Sequence, residues 1–513
     1  MQPYYEYPDK HFAVSVSLSG AEEDRTVYVY THTGYTGGLE CAVVLDENNL
    51  VLPVKTQVSK NFSGDGDDTL FFSGDPSYSD TFFPVVVEAG RETKLTVLNL
   101  YQNWGKFPLK QLSSIHFFTT YYHLSTGVTE TNCIAPFFVY GKDYWLIPDF
   151  RPMSAPLWAS QPQHTSGGCP RVIQYTSSDK GFAGLELATK YIDSSGPVYS
   201  DLLLNYISDD GRLAASYRHV EMPQTDESRA YYDVDIKVLE DIPFENFARD
   251  FSFYGMDGRF VFYDTLGYLD KNNAPAYAET NRSLERKYYV LGKNCPYVDI
   301  HGCDSNDYVN MAVLVADSDI TVGGKKFTGN FVVSDYASWD LNRVNLSLNL
   351  GKVTLRAGDR MKLRLIVMPY GSQELEGDER VRLVRENTCL SPVRAESASC
   401  SVIEGSPVPK VRSADGKTAE FTISGGAANI PALNERYYRT CDHNIAVRVY
   451  GFDSFAAPEI YEKIDGEWVR YEVASVNGYD GYAVYCDKDN SFSYAFVVTM
   501  NEAKPRTFKV VTP

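Results

Sequence analysis

Alternation of apolar and polar residues with a period of two dominates the chain. The pattern is clearest in five segments, at residues 26–31, 232–238, 345–350, 361–367 and 444–452. Successive side chains of a strand point to opposite faces, so each segment predicts a half-buried β-strand. Between two such runs stands the pair Asp465-Gly466, which favours a type I′ hairpin because both turn residues must adopt positive φ.

Helical periodicity is rare by comparison. Residues 244–251 and 276–287 could each form a short helix. Many short strands separated by turn-prone sequences, with few helices, are typical of sandwiches and barrels. The predicted fold class is therefore all-β, with several consecutive antiparallel β-sandwich domains of jelly-roll or immunoglobulin-like type.

The length of 513 residues is too great for a single core and predicts several domains. Alternation stops, and glycine, proline and small residues gather, at 166–170, at 291–296, and at either 396–410 or 424–431. We therefore expect four β-sandwich units, of which the first contains a long aromatic loop segment. Their predicted ranges are 1–170, 171–292, 293–425 and 426–513.

The charge restricts the partners of the chain. A net charge of −19 repels a phosphate backbone, so no nucleic-acid partner is expected.

No apolar run reaches the roughly 18 residues of a membrane-spanning helix. The first ten residues lack the basic and apolar regions of a signal peptide. The aromatic all-β character favours a secreted or cell-surface protein whose export signal has been removed; the alternative is an ordinary cytoplasmic protein.

Nine cysteines leave at least one unpaired within the chain. Cys295 with Cys303, and Cys389 with Cys400, are close enough to close small loops, and free buried thiols are the alternative. No CxxC pair is present, so a structural zinc site has no support. The acidic turn at 64–68 lacks the glutamate that completes a calcium loop. We therefore predict neither a metal site nor a cofactor.

The segment at 101–168 is rich in aromatic residues and poor in regular alternation. Sugar sites place aromatic faces against the C–H face of a sugar ring and add polar groups for the hydroxyls. Such a site would have Glu130 and Asp149 as its carboxylates. Its sugar-binding residues would be Trp104, Tyr122, His123, Asn132, Trp145, Arg151 and Trp158. The alternative is that these rings belong to a core.

A second candidate surrounds residues 217–221. On a strand, His219 and Glu221 share a face and Arg218 points to the other. A His–Glu pair can relay a proton or orient a base. Glu221 or Glu227 could then replace one of the catalytic carboxylates, and His219 would contact substrate. The alternative is a solvated strand end with charge pairs.

The motifs GxSxG, HExxH, GxxxxGK[ST] and a helix-opening GxGxxG are all missing. Their absence argues against α/β hydrolases, zinc proteases and nucleotide enzymes. It does not argue against an enzyme with paired catalytic carboxylates, because such residues form no local motif. Several β-modules with many aromatics and an acidic composition resemble secreted bacterial carbohydrate-active proteins. We expect first a glycoside hydrolase that uses paired carboxylates on a polysaccharide or oligosaccharide. The alternatives are a non-catalytic glycan-binding or adhesion protein and a structural assembly of sandwiches, in which strand edges pair between identical chains.

Overall fold

The structure is a computed structural model. It describes residues 11–33, 40–48, 52, 54, 57–60, 79–101, 113–120, 123–130, 133–138, 169–171, 173–195, 198–222, 229–257, 263–294, 296–301, 310–338, 341–370, 377–427, 443–473 and 482–513. Between residues 113 and 138 it describes the backbone alone. Mostly antiparallel sheets predominate in the described part, which contains two helices. The predicted all-β fold class is confirmed.

The N-terminal strands form three small sheets. They are β1 (His11–Leu18), β2 (Arg25–Thr33), β3 (Glu40–Leu45), β4 (Gln57–Lys60), β5 (Ser79–Val87), β6 (Thr93–Tyr101), β7 (Ser113–Thr120), β8 (His123–Glu130) and β9 (Cys133–Phe138). Sheets β1-β6-β3 and β2-β5-β4 enclose a core that includes Val29, Phe83 and Val97, and β7-β8-β9 form the third sheet. The predicted strand at 26–31 lies within β2.

The central part contains the largest sheet of the described chain and both helices. Its elements are β10 (Cys169–Arg171), β11 (Gln174–Ser177), β12 (Gly181–Ala183), β13 (Leu185–Ser195), β14 (Ser200–Ser208), β15 (Leu213–Glu221), β16 (Ala230–Val238), β17 (Ile242–Phe244), α1 (Phe247–Asp250), β18 (Phe251–Ser252), β19 (Tyr254–Asp257), β20 (Thr265–Leu269), β21 (Pro275–Glu279), β22 (Lys287–Val290), β23 (Tyr297–His301), β24 (Asn310–Val322), β25 (Lys325–Lys326), β26 (Phe331–Ser338), β27 (Leu341–Leu348), β28 (Val353–Leu355), β29 (Arg360–Tyr370) and α2 (Gly377–Thr388). Ten strands form one sheet in the order β13-β14-β15-β16-β29-β24-β23-β20-β21, with β25 beside β24. A five-stranded sheet has the order β10-β19-β27-β26-β22.

The C-terminal sandwich consists of β30 (Arg394–Glu396), β31 (Ser401–Glu404), β32 (Lys410–Arg412), β33 (Thr418–Ser424), β34 (Asn444–Phe452), β35 (Glu459–Ile464), β36 (Glu467–Arg470), β37 (Tyr482–Cys486), β38 (Phe492–Thr499) and β39 (Arg506–Val511). Sheets β30-β33-β39-β35-β36 and β31-β32-β34-β38-β37 enclose its core. The predicted hairpin joins β35 to β36. Asp465 and Gly466 have φ of 50° and 93°, so the predicted positive values at both turn residues are confirmed.

Both faces of the ten-stranded sheet are covered. Tyr217 and Tyr232 belong to the core shared with the five-stranded sheet. Their neighbours Val220 and Tyr231 point the other way, into a second core that includes Ala446 and residues of α2. Successive side chains of β15 and β16 therefore enter two different cores.

Four sequence expectations can be compared with these elements. The ten-stranded sheet takes strands from both sides of residue 292, where the sequence predicts a domain boundary, so those strands share one core. Helix α1 falls within the predicted helix at 244–251, but the predicted helix at 276–287 is wrong, because β21 and the start of β22 occupy it. Helix α2 was not expected. Cys400 is a free thiol, so it forms no disulfide with Cys389.

Candidate functional site

Most residues of the aromatic candidate lie outside the described part of the chain. These are Trp104, Tyr122, Asn132, Trp145, Asp149, Arg151 and Trp158, and Glu227 of the second candidate lies outside it as well. His123 and Glu130 are the first and last residues of β8. At about 3.4 Å per residue the two α-carbons are roughly 24 Å apart, so these two residues belong to opposite ends of the strand.

His219 and Glu221 form the predicted pair on β15. Nε2 of His219 lies 2.9 Å from Oε1 of Glu221, and both side chains are 0% exposed. The Tyr232 ring packs edge-on against His219, with 4.8 Å between centroids. Arg218 points to the opposite face, where it contacts Asp201, as the strand geometry predicts. The pair is part of the sandwich interior and in this state presents no surface to a glycan.

A second buried polar cluster holds α2 against the ten-stranded sheet. Nη1 of Arg380 lies 2.6 Å from Oδ1 of Asp299, and the Tyr297 hydroxyl donates to the other carboxylate oxygen at 2.8 Å. Burial, and then the charge of Arg380, lower the pKa of neighbouring His301 to about 4. Arg380, Asp299 and Tyr297 satisfy one another away from solvent, so the cluster holds α2 in position.

A polar cleft of about 200 Å³ opens on the outer side of the five-stranded sheet. We call it the arginine cleft. It is lined by Gln174, Tyr175, Thr176, Phe182, Arg249, Asp250, Phe251, Ser252, Arg286, Tyr336, Arg343 and Asn345. These residues come from β11, β12, α1, β18, β26, β27 and the residue before β22. The cleft combines aromatic rings, amides, hydroxyls and guanidinium groups in one concave surface.

The alternation of side chains along β27 determines which of its residues form the floor of the cleft. Val344 belongs to the sandwich core, so its neighbours Arg343 and Asn345 on β27 point outward. Arg343 is the cross-strand partner of Tyr336 on β26, so a guanidinium and a phenol ring lie side by side on the same face. Phe182 on β12 contributes a ring that is 55% exposed.

Helix α1 forms one wall. The side chain of Asn246 caps its first turn by accepting from the backbone N–H of Arg249 at 3.3 Å. Arg249 binds Asp250 in a fork, with distances of 2.6 and 2.9 Å. The guanidinium of Arg286 donates to the Arg249 carbonyl at 2.8 Å and stacks 4.1 Å above the Tyr336 ring. These contacts fix the wall before any ligand arrives.

The charges of the cleft are unequal. Among the described residues that line the cleft, three guanidinium groups face one carboxylate, which leaves a surplus of two positive charges. Hydrogen bonding and the charge of Asp250 raise the pKa of Arg249. Within the described part of the chain, neither Arg286 nor Arg343 pairs with a carboxylate, and the buried Nε of Arg343 meets no acceptor. The surplus therefore belongs to Arg286 and Arg343.

The sequence reasoning missed this site. Its residues come from segments near 175, 250, 286 and 340, and no single segment contains a motif. The one indication in the sequence is the strand at 341–348, whose inner face is apolar. Arg343 stands among its outward-facing polar positions.

A groove on the N-terminal sandwich is larger, at about 260 Å³, but its described lining has four carboxylates, two cations and no aromatic ring. Arg91 contacts Glu47 and Glu88, each at 3.0 Å, and Lys94 lies 3.4 Å from Glu92. Exposed pairs of this kind are ordinary surface chemistry. The arginine cleft is therefore the better candidate site.

The described residues contain neither a metal-binding cluster nor a membrane-spanning helix. Among the described residues, no three histidine, cysteine, aspartate or glutamate side chains group together as a metal site requires. None of the helices in the described ranges has the length and apolarity to cross a membrane.

No protein-family model matches the chain, and no curated protein sequence matches it. Solved structures show a partial similarity. The galactosidase domain of alpha-galactosidase-sucrose kinase AgaSK is 10% identical over 50% of this chain and 42% of its own, with a TM-score of 0.36. The GH36 alpha-galactosidase AgaA from Geobacillus stearothermophilus is 10% identical over 52% and 42%, with a TM-score of 0.30. A galactose mutarotase related enzyme from Lactobacillus acidophilus is 10% identical over 51% and 98%, with a TM-score of 0.27. The chain thus spans about two fifths of the length of these α-galactosidases.

Proposed function

We propose that this chain is a carbohydrate-binding protein and that the arginine cleft holds the sugar. The observation that carries the proposal is that the exposed Phe182 ring and the Tyr336 ring line one concave site together with guanidinium and amide groups. Aromatic faces pack on the C–H face of a pyranose, while planar polar groups bind adjacent hydroxyls in pairs. Secretion or display at the cell surface is part of the proposal, because it would bring the chain to extracellular glycans.

The size of the cleft suits one sugar residue. Sites for drug-sized ligands occupy roughly 300–1,000 Å³, and this cleft has about 200 Å³. The remainder of a longer glycan would lie over the neighbouring strands. A fixed wall at α1 and a rigid sheet floor keep the cost of ordering the site low.

Binding without hydrolysis fits the cleft better than catalysis does. Glycoside hydrolysis needs two carboxyl groups about 5–10 Å apart on either side of the scissile bond. Among the described residues that line the cleft, Asp250 is the one carboxylate, and Arg249 occupies both of its oxygens. A hydrolase remains the second candidate for Glu130, Asp149, Glu221 and Glu227. Of these, Glu221 has a buried histidine partner that could orient it.

Calorimetric titration of the full chain, with ligands selected on a glycan array, tests the proposal. We expect Phe182→Ala to weaken binding about tenfold or more, since a stacking ring contributes on the order of 1–2 kcal/mol. Phe455→Ala is the matched control, because Phe455 is 72% exposed on the C-terminal sandwich. Equal affinity of the Phe182→Ala variant and the unchanged chain would exclude the cleft. Release of reducing sugar that Glu221→Gln abolishes would establish the hydrolase instead.

A further inference from the structure

We infer that the sugar residue bound in the arginine cleft is acidic and carries a carboxylate or sulfate group. The inference rests on the proposed function and adds the chemical class of the ligand. It follows from Arg343 and Arg286, the two guanidinium groups of the cleft that no carboxylate neutralises within the described part of the chain.

Arg343 is the first part of the argument. Its Nε is buried and meets no hydrogen-bond acceptor among the described residues. A buried donor without an acceptor costs about 1–3 kcal/mol, so such groups in proteins are normally satisfied by a partner. Because this nitrogen is closed to solvent, a ligand in the cleft would bind the remaining N–H groups of the same guanidinium. A negatively charged oxygen forms the stronger bond, because charge assistance roughly doubles the strength of a hydrogen bond.

Arg286 supplies a second, fixed donor. Stacking on Tyr336 and the bond to the Arg249 carbonyl hold its guanidinium plane in place. A guanidinium has five N–H donors, and that carbonyl takes one of them. A planar group fixed in this way loses little side-chain entropy on binding an anion, which is why arginine is favoured over lysine at carboxylate and phosphate sites.

Asp250 does not cancel the surplus charge, because it already binds Arg249 through both oxygens. A neutral sugar would leave two positive charges uncompensated, whereas a monoanionic sugar would halve the surplus. The net charge of −19 repels anions at long range. At physiological ionic strength that repulsion is screened over about 8 Å, so the local field of the cleft dominates at contact.

Titration calorimetry of the full chain with matched pairs of sugars tests the inference. The pairs are galacturonate with galactose and glucuronate with glucose, and a galactose sulfate forms a separate arm. We expect at least one acidic sugar to bind tenfold or more tightly than its neutral counterpart, with an affinity that falls as sodium chloride rises from 50 to 500 mM. The arm that binds identifies the anionic group.

Arg343→Gln should abolish the preference, so that the acidic sugar binds no more tightly than its neutral counterpart. Arg382→Gln is the matched control, because Arg382 lies on α2, against the ten-stranded sheet, and contacts Glu386. Should Arg343→Gln melt early, Arg286→Gln supplies the second variant. Equal binding of acidic and neutral sugars would overturn the inference and leave the proposed function standing. Absence of binding by any sugar would overturn both.

Discussion

Asp335 on β26 is a buried carboxylate whose ionisation opposes folding. Its Oδ2 accepts the backbone N–H of Asn281 at 2.6 Å, and its side chain points into the sandwich. Burial raises the pKa of Asp335 from 3.8 to about 6. Between these two values the folded chain holds a proton that the unfolded chain has released. Stability contributed by this group is therefore lost as the pH rises from about 4 to about 6.

Asp335→Asn should accordingly become relatively more stable as the pH rises. A difference of roughly two pKa units corresponds to about 3 kcal/mol, so the gain over the unchanged chain should grow by up to about that amount between pH 4 and pH 7. Urea unfolding at pH 4, 5.5 and 7 measures it. Asp319→Asn should show the opposite trend, because the hydrogen bond from Lys326 lowers the pKa of Asp319. A gain for Asp335→Asn that does not vary with pH would contradict this assignment.

At this scale the sequence predicts which residues share a face but not what covers them. Alternation alone places His219 with Glu221 and turns Arg218 away, as the structure has them. Their complete burial depends on the five-stranded sheet, whose strands begin at residue 169 and end at residue 348. Burial of this kind is a long-range property that a local pattern does not contain.

Helix α2 depends on one buried ion pair at its first turn. Arg380 and Asp299 are 3% and 0% exposed, so removal of the guanidinium leaves a carboxylate charge inside the protein. We expect Arg380→Met to lower the free energy of unfolding by about 3–5 kcal/mol.

Arg382→Met, two residues further along, is the control. Arg382 is half exposed and pairs with Glu386 one turn away, a contact that contributes about 0.3–0.5 kcal/mol. Urea unfolding of both variants at pH 7 makes the comparison. Similar destabilisation by the two changes would show that Asp299 finds other compensation.

Where the local sequence pattern was weak, tertiary packing decided whether a segment formed a helix or a strand. Residues 276–287 contain good helix formers, yet pairing with β20 makes β21 a strand. The opposite happened in α2, where Val381 and Val384 form a short apolar stripe that the sequence reasoning overlooked. Strong alternation, as in β16 and β34, predicted strands correctly because both packing and propensity agree there.

The described sheets stack in layers, and the sequence pattern did not predict which sheets pack against each other. The C-terminal sandwich packs on the ten-stranded sheet through a shared apolar core. Charged residues lie at the edge of that contact. Nη1 of Arg218 on β15 lies 2.6 Å from Oε1 of Glu404 on β31, and Nζ of Lys410 lies 3.2 Å from the other oxygen. No local motif predicts these contacts, because 186 residues separate Arg218 from Glu404.

This interface predicts that the central sheet and the C-terminal sandwich unfold as one unit. Glu404→Gln removes the charge that Arg218 and Lys410 share across the contact. The pair is partly buried, so we expect a loss of about 1–3 kcal/mol in the free energy of unfolding. Hydrogen exchange should then quicken together in β14–β16 and in β32–β34, by the same factor in both. Glu467→Gln, in the exposed β36, should change neither. Faster exchange confined to the C-terminal strands would mean that the sandwich opens independently, and the layers would then be separate folding units.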